Sequence, residues 1–207
     1  MANVLQPFGF EQWGSASGPV NFAQNHNPPY RIAGGSSPYT TQIFRGDAVR
    51  MNASLTGYIE RWTAADGDST HILAGIFDGC EYYSISQAKN IWVPYWPGST
   101  DASGDVSAYV IDDPNALFKV QSGGTGAAIT QTAIGQTADI SATPLGKTTT
   151  GISGMSLATP TTTATFPFKV ANVITSPPGT NGTDLTSPYN YVVVAFNYQT
   201  YKSLVGI

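Results

Sequence analysis

Short β-forming segments separated by turn residues dominate this chain and restrict the folds open to it. Between residues 41 and 121, runs of β-branched and aromatic residues such as LTGYIERW, HILAGIF and NIWVPYW alternate with stretches containing Gly, Pro, Asn and Asp. Segments of this length and composition are typical of strands, and their spacing is typical of a small β-barrel or sandwich. We therefore predict an all-β core over residues 41–121, with a hairpin turn at Asp78-Gly79.

An additional β-rich region is expected over residues 122–207. FPFKVANVI (166–174) and NYVVVAFNYQTY (190–201) read as strands joined by a Pro- and Gly-containing loop. The stretch before them is rich in Gly, Thr and Ala, and we expect short strands and loops there, with a short helix in AAITQTAIGQTADI left open. This region either completes one domain with residues 41–121 or forms a second.

Residues 1–40 are predicted to form an extended N-terminal arm. Prolines and glycines punctuate the segment, and no helical or strand period is sustained along it. A solvated linker rarely carries many large rings, so we expect the arm to dock, either on its own domain or on a neighbouring subunit. The candidate contact residues in the arm are Phe8, Phe10, Trp13, Phe22 and Tyr30.

The segment Trp92-Val-Pro-Tyr-Trp-Pro97 concentrates three more large rings, those of Trp92, Tyr95 and Trp96. The two prolines argue against a central strand and favour a stiff extended segment. Three interpretations stay open: a corner of the core, an anchor in a protein interface, or a platform that stacks on sugars.

No arrangement of reactive residues indicates an enzyme. His26 and His71 are the natural general bases near neutral pH, but neither lies in a catalytic motif. Glu60 and Glu81 would support glycoside hydrolysis only if the fold brought the two carboxylates together. Cys80 is the single cysteine, lacks a neighbouring cation, and is expected to be a small buried residue. We predict no catalytic residues.

Metal and cofactor sites are not expected either. One cysteine and two separated histidines do not give zinc-ligand spacing. Asp66-Gly67-Asp68 and Asp112-Asp113 lack the alternating ligands and distal Glu of a calcium loop, so both are expected to be polar turns. No glycine-rich phosphate-binding motif is present.

The charge distribution favours protein partners. Charged residues make up 11% of the 207 positions, against about 25% in an ordinary soluble domain. The net charge is −4 and the nine Lys and Arg are scattered, so nucleic acid and anionic membranes are unexpected partners. A neutral polar surface suits a subunit packed in an assembly. The first residues lack a secretory pattern and the single cysteine allows no intrachain disulfide, so we expect synthesis and assembly in a cytoplasm.

A set of segments resembles the head decoration, or cement, proteins of tailed bacteriophages, including those of cyanophages and related marine phages. The segments are GYIERW (57–62), ILAGIFDGCEYY (72–83), WVPYWPG (92–98), GDVSAYVIDDPNALFKVQ (104–121) and YVVVAFNYQTY…VGI (191–207). The resemblance implies a non-enzymatic virion protein on the outer capsid surface, bound as a dimer or trimer over joints between major capsid protein subunits.

The leading hypothesis is therefore a capsid-bound structural protein whose arm and exposed rings contact the shell. The alternative is a tail or receptor-binding component that stacks Trp92, Tyr95 and Trp96 on host glycans. A third possibility, a hydrolase, would require His71 or clustered carboxylates in a cleft. The expected interface residues are Phe8, Phe10, Trp13, Phe22, Tyr30, Trp92, Tyr95 and Trp96.

Overall fold

The computed structural model describes residues 2–17, 30–55, 57–67, 70–123, 128–141 and 146–202. Within those residues the chain forms antiparallel β-sheets and one 3-10 turn, Gln131–Ala133, and no α-helix. The all-β prediction is confirmed: the sheets pack as a sandwich, and none of those described closes into a barrel. Phe22, His26 and Asp68 lie outside the described residues.

Thirteen strands make up the described fold. In chain order they are β1 (Glu11–Ser15), β2 (Tyr30–Ile32), β3 (Ile43–Phe44), β4 (Ala48–Met51), β5 (Ile59–Arg61), β6 (Leu73–Ser84), β7 (Lys89–Val93), β8 (Tyr95–Trp96), β9 (Val106–Ile111), β10 (Ala116–Gln121), β11 (Thr137–Ala138), β12 (Phe168–Val173) and β13 (Tyr191–Phe196). The first sheet has the order β1-β10-β13-β12-β11. The second has the order β2-β9-β6-β4-β5, with β7 also paired to β6, and a two-stranded ribbon joins β3 to β8.

The six-stranded sheet is the central layer, with a hydrophobic core on each face. Successive residues of a strand point to opposite faces. Accordingly, Ile76 packs with the five-stranded sheet, whereas its neighbour Phe77 packs in a second core with Ile43 and Trp96 of the ribbon. Coverage of both faces explains why the first half of β6 reads as a continuous apolar run.

The predicted hairpin at Asp78-Gly79 is wrong. β6 runs without interruption from Leu73 to Ser84, and the irregularity lies in its pairing with β9, between Phe77 and Gly79. Gly79 has φ = +141°, a conformation that glycine adopts without a steric penalty. A β-bulge and a tight turn both use a positive φ, so the same dipeptide fits either structure.

The described residues of the predicted arm fold onto their own chain. β1 is an edge strand of the five-stranded sheet and β2 is an edge strand of the six-stranded sheet. The ring of Phe10 stacks on Phe168 with centroids 4.3 Å apart. The expected boundary after residue 121 falls at the end of β10, which pairs with β13, so residues 41–121 and 122–207 share one sheet.

Asn3 fastens the start of the chain to the loop before β13. Its side-chain amide donates to the carbonyl oxygens of Asp184, Ser187 and Pro188, at 2.8, 3.3 and 3.1 Å. Its Oδ1 accepts from the backbone N–H groups of Gly182 and Asp184. Asn3 is 7% exposed, so these polar groups have little access to water as a substitute partner. We call residues 3–10 the strap.

Replacing Asn3 by Ala is expected to lower the free energy of unfolding by about 2–3 kcal/mol, because several buried backbone groups lose their partners. Guanidinium denaturation measures this change. Val4→Ala is the matched control: Val4 is 56% exposed, and its truncation is expected to cost under about 0.5 kcal/mol. Equal effects of the two substitutions would contradict the role assigned to Asn3.

Candidate binding surfaces

Three of the expected interface rings are buried in the chain's own cores. Phe10 lies in the core beneath the five-stranded sheet, and Tyr30 and Trp96 lie in the core beneath the ribbon. The Trp96 indole N–H donates to the carbonyl oxygen of Tyr39 at 2.7 Å, which satisfies its polar atom inside the fold. These three rings hold the protein together and are not accessible to a partner in this structure.

The three rings of the segment around Pro94 do not form one platform. β7 ends at Val93, and Tyr95 and Trp96 belong to β8, which pairs with β3. Tyr95 is half-buried and stacks on Phe44 with an interplanar angle of 6°. Trp92 alone is open to solvent, with 56% of its surface exposed. The expectation of a shared Trp92, Tyr95 and Trp96 surface is therefore corrected.

Phe8 and Trp13 meet on the outer face of the five-stranded sheet, around Lys119. The Lys119 Nζ lies 5.0 Å from the ring centroid of Phe8, 5.9 Å from that of Trp13 and 5.5 Å from that of Tyr191. Glu11 Oε2 lies 2.8 Å from the same ammonium group. The cation is thus enclosed by aromatic rings and neutralised by one carboxylate.

Exposed apolar side chains lie on the strap and on β1, the two segments that supply Phe8 and Trp13. Trp13 occupies the irregularity between Gln12 and Gly14 in the pairing of β1 with β10, and it is 52% exposed. Bulges redirect side chains in this way. Val4 and Leu5 of the strap are 56% and 48% exposed. We define the strap surface as Val4, Leu5, Phe8, Trp13, Lys119 and Tyr191.

A second exposed surface contains Trp92, which the sequence singled out, together with residues that it did not. On the outer face of the second half of β6 and its neighbours lie Trp92 of β7, Glu81 and Tyr83 of β6, and Tyr109 of β9. The sequence singled out Trp92, but for its neighbours the local signal is the two-residue spacing of Glu81 and Tyr83, which places both on one face of a strand. We call this surface the shelf.

Buried charges around β4 and β5 hold turns and strands together. Asp47 is fully buried; its Oδ2 lies 2.8 Å from Arg61 Nε and accepts from the Phe44 backbone N–H, and its Oδ1 accepts from the Ser153 hydroxyl. Burial raises the pKa of Asp47, and Arg61 opposes that rise. Every polar atom of this carboxylate is engaged by the protein, which is typical of a structural ion pair.

The candidate catalytic residues are similarly engaged. Glu60 accepts from Arg50 and Asn52, whereas Glu81 accepts from the Tyr109 hydroxyl, so the two carboxylates have different partners. His71 Nε2 lies 4.0 Å from Asp66, whose other carboxylate oxygen accepts from the Thr63 backbone N–H. Cys80 is buried as expected, and burial raises the pKa of its thiol to about 12.

The described part of the chain contains no group of three or more His, Cys, Asp or Glu side chains placed to hold a metal ion. Nor do the described residues include a helix long and apolar enough to cross a membrane. Comparisons with protein-family models, with curated proteins and with solved structures give no match to this chain.

Asp139 gives a pH dependence with a definite sign. Burial raises its pKa from 3.8 to about 6, although it accepts hydrogen bonds from Ile140 and from the Trp62 indole. Between these two values the unfolded chain releases the proton and the folded chain retains it, so stability falls as pH rises.

Asp139→Asn removes this titration. The unfolding free energy of the variant, relative to the parent, is expected to rise by about 1–2 kcal/mol between about pH 4 and pH 7. Asp101→Asn is the control, because hydrogen bonds from Ser84 and Ser86 lower the pKa of Asp101 and move its effect to more acid pH. A flat difference between the Asp139 variant and the parent would show that Asp139 ionises normally in the fold.

Proposed function

We propose that this protein is a virion structural protein that binds the outer surface of a phage capsid and stabilises contacts between major capsid protein subunits. The strap surface is the proposed contact. The exposed Val4 and Leu5 of the strap and the exposed Trp13 of β1 are the observation that carries the proposal. The resemblance of the sequence to head decoration proteins indicates the partner, the major capsid protein.

The composition of the strap surface supports a protein partner. Trp and Tyr side chains dominate the binding energy of protein interfaces, and they do so at sites from which water is excluded. The one cation in the strap surface already has Glu11 beside it. A partner therefore needs to supply no matching charge, and attachment rests mainly on apolar burial, which salt screens little.

The fold also supports a contact that is ordered before binding. Asn3 fixes one end of the strap. The side chain of Gln121 fixes its middle, because it accepts a hydrogen bond from the Gln6 backbone N–H and donates one to the Val4 carbonyl oxygen. An ordered surface loses less conformational entropy on binding than a free arm. The described residues of the arm thus act as part of a rigid surface, and binding as a dimer or trimer would multiply a modest contact.

Binding of strap-surface variants to capsids tests the proposal. Trp13→Ala and Leu5→Ala are each expected to weaken binding to undecorated expanded capsids, by about tenfold for Trp13 and less for Leu5. Co-sedimentation at a range of protein concentrations gives the affinity. Trp92→Ala is the matched control, because it removes a similarly exposed tryptophan from a different sheet.

The control is expected to bind as the parent does. Failure of the parent protein to bind the capsids, or equal binding by the parent and both strap-surface variants, would reject the proposal. Denaturation midpoints of all variants, measured in parallel, separate lost contact from lost folding.

A further inference from the structure

The shelf is the continuation, beyond a bulge, of the sheet face that packs against the five-stranded sheet. On this face Ile76 of β6 and Ile111 of β9 pair with each other and pack in the core with the five-stranded sheet. Past the bulge at Asp78, the same face carries Gly79, Glu81 and Tyr83, none of which belongs to either core. The second half of the strand therefore extends past its covering layer.

The Trp92 indole lies over Gly79, and it fits there because glycine has no side chain. A Cβ placed on Gly79 would lie 2.7 Å from Trp92 Cζ2 and 3.1 Å from Cε2, so the indole occupies the space of the missing side chain. Tyr109 pairs with Gly79 from the other side, on β9. Two aromatic residues thus flank one glycine, and Trp92 remains 56% exposed although its position is fixed by the strand beneath it.

Hydrogen-bonding groups lie beside the rings. Glu81 is directly opposite Trp92 on one side and Ser107 on the other, and Ser107 is opposite the exposed Arg31 of β2. The Tyr109 hydroxyl donates to Glu81 Oε2 at 3.1 Å, which orients the carboxylate. No described residue donates to the other oxygen of Glu81, so that oxygen is available as an acceptor.

We propose that the shelf binds glycans built of neutral hexopyranoses. A pyranose ring presents C–H groups on its faces and hydroxyls at its edge. The C–H face would stack on Trp92, while a sugar hydroxyl would donate to Glu81. This site is separate from the strap surface and adds a second binding activity to the function proposed above.

The charges on the shelf favour a sugar over a protein and a neutral sugar over an acidic one. A protein interface placed on Trp92 would remove water from the Glu81 carboxylate beside it, which is unfavourable without a matched charge. Sugar hydroxyls meet the need for hydrogen bonds without that charge. An anionic sugar stacked on Trp92 would place its carboxylate close to Glu81, and like charges in partly desolvated sites repel. The cation on this face, Arg31, lies two strands from Glu81 and on the side away from Trp92, so it offsets this repulsion less.

Affinity for a single shelf should be modest, because one exposed ring and a few hydrogen bonds make up the site. We expect dissociation constants of about 1 mM for short oligosaccharides. Several copies on one particle would raise the effective affinity for a surface that displays many glycans.

Titration with neutral oligosaccharides of defined linkage, namely glucose, mannose and galactose hexamers, tests the proposal. Tryptophan fluorescence and amide chemical shifts of the full chain report binding. Trp92→Ala is expected to weaken binding at least about tenfold, and Glu81→Gln by about threefold or more. Trp13→Ala, the matched control, is expected to bind the sugars as the parent does.

Three results would overturn the proposal: no saturable binding of any hexamer up to about 20 mM, unchanged binding by Trp92→Ala, or tighter binding of a sialylated than of a neutral oligosaccharide. If Trp92→Ala fails to fold, Glu81→Gln and Tyr83→Ala carry the test.

Loss of capsid binding by Trp92→Ala, with no sugar binding by the parent, would assign the shelf to a protein partner. The capsid and sugar assays use opposite tryptophan controls, so either proposal can fail alone.

Discussion

The passage of the strap between the two sheets is the constraint on which the rest of the structure depends. Gly9 has φ = +75°, and a Cβ there would lie 2.5 Å from the Ser153 side chain and 2.6 Å from the Gly46 carbonyl oxygen. Only glycine lets the strap pass at this point. The next residue, Phe10, then donates its backbone N–H to the Gly46 carbonyl, which precedes β4 of the six-stranded sheet, while its ring enters the core of the five-stranded sheet. One short segment thus joins both layers.

This arrangement links a buried hydrogen-bond network to the exposed strap surface. Ser153 and Asp47, which lie next to the strap's crossing point, are hydrogen-bonded to each other, so the crossing point is fixed by a buried network as well as by apolar packing. The crossing fixes the direction in which β1 leaves, and β1 carries Glu11 and Trp13 to Lys119. The strap surface is therefore a consequence of how the chain closes its cores, and its rings have defined positions before any partner arrives.

The sequence predicted most strand-forming segments well, but it predicted the hairpin at Asp78-Gly79 wrongly and long-range pairing poorly. A continuous apolar run identified β13, whereas in β12 the buried Phe168 and Val170 alternate with the exposed Lys169, the pattern of a half-buried strand. Whether Trp92 or Trp96 would be buried could not be predicted, since it depends on the pairing of β8 with β3, some fifty residues earlier. The aromatic residues of the arm correctly indicated docking, but the pairing that brings Glu11 to Lys119 leaves no local signal. Trp92 was singled out, but its shelf neighbours Glu81, Tyr83 and Tyr109 were not, because the shelf is formed by three strands.

The protein is a β-sandwich with two exposed surfaces, a strap surface proposed to bind a capsid and a shelf proposed to bind sugars. Capsid binding through the strap surface is the central claim, because only attachment to a particle would display the shelf in many copies. A cryo-electron map of intact virions tests that claim most directly. The account predicts density of this fold on the outer face of the head, over joints between capsid subunits, with the strap surface turned towards the shell. Heads without this density, or the fold found only in the tail, would contradict it.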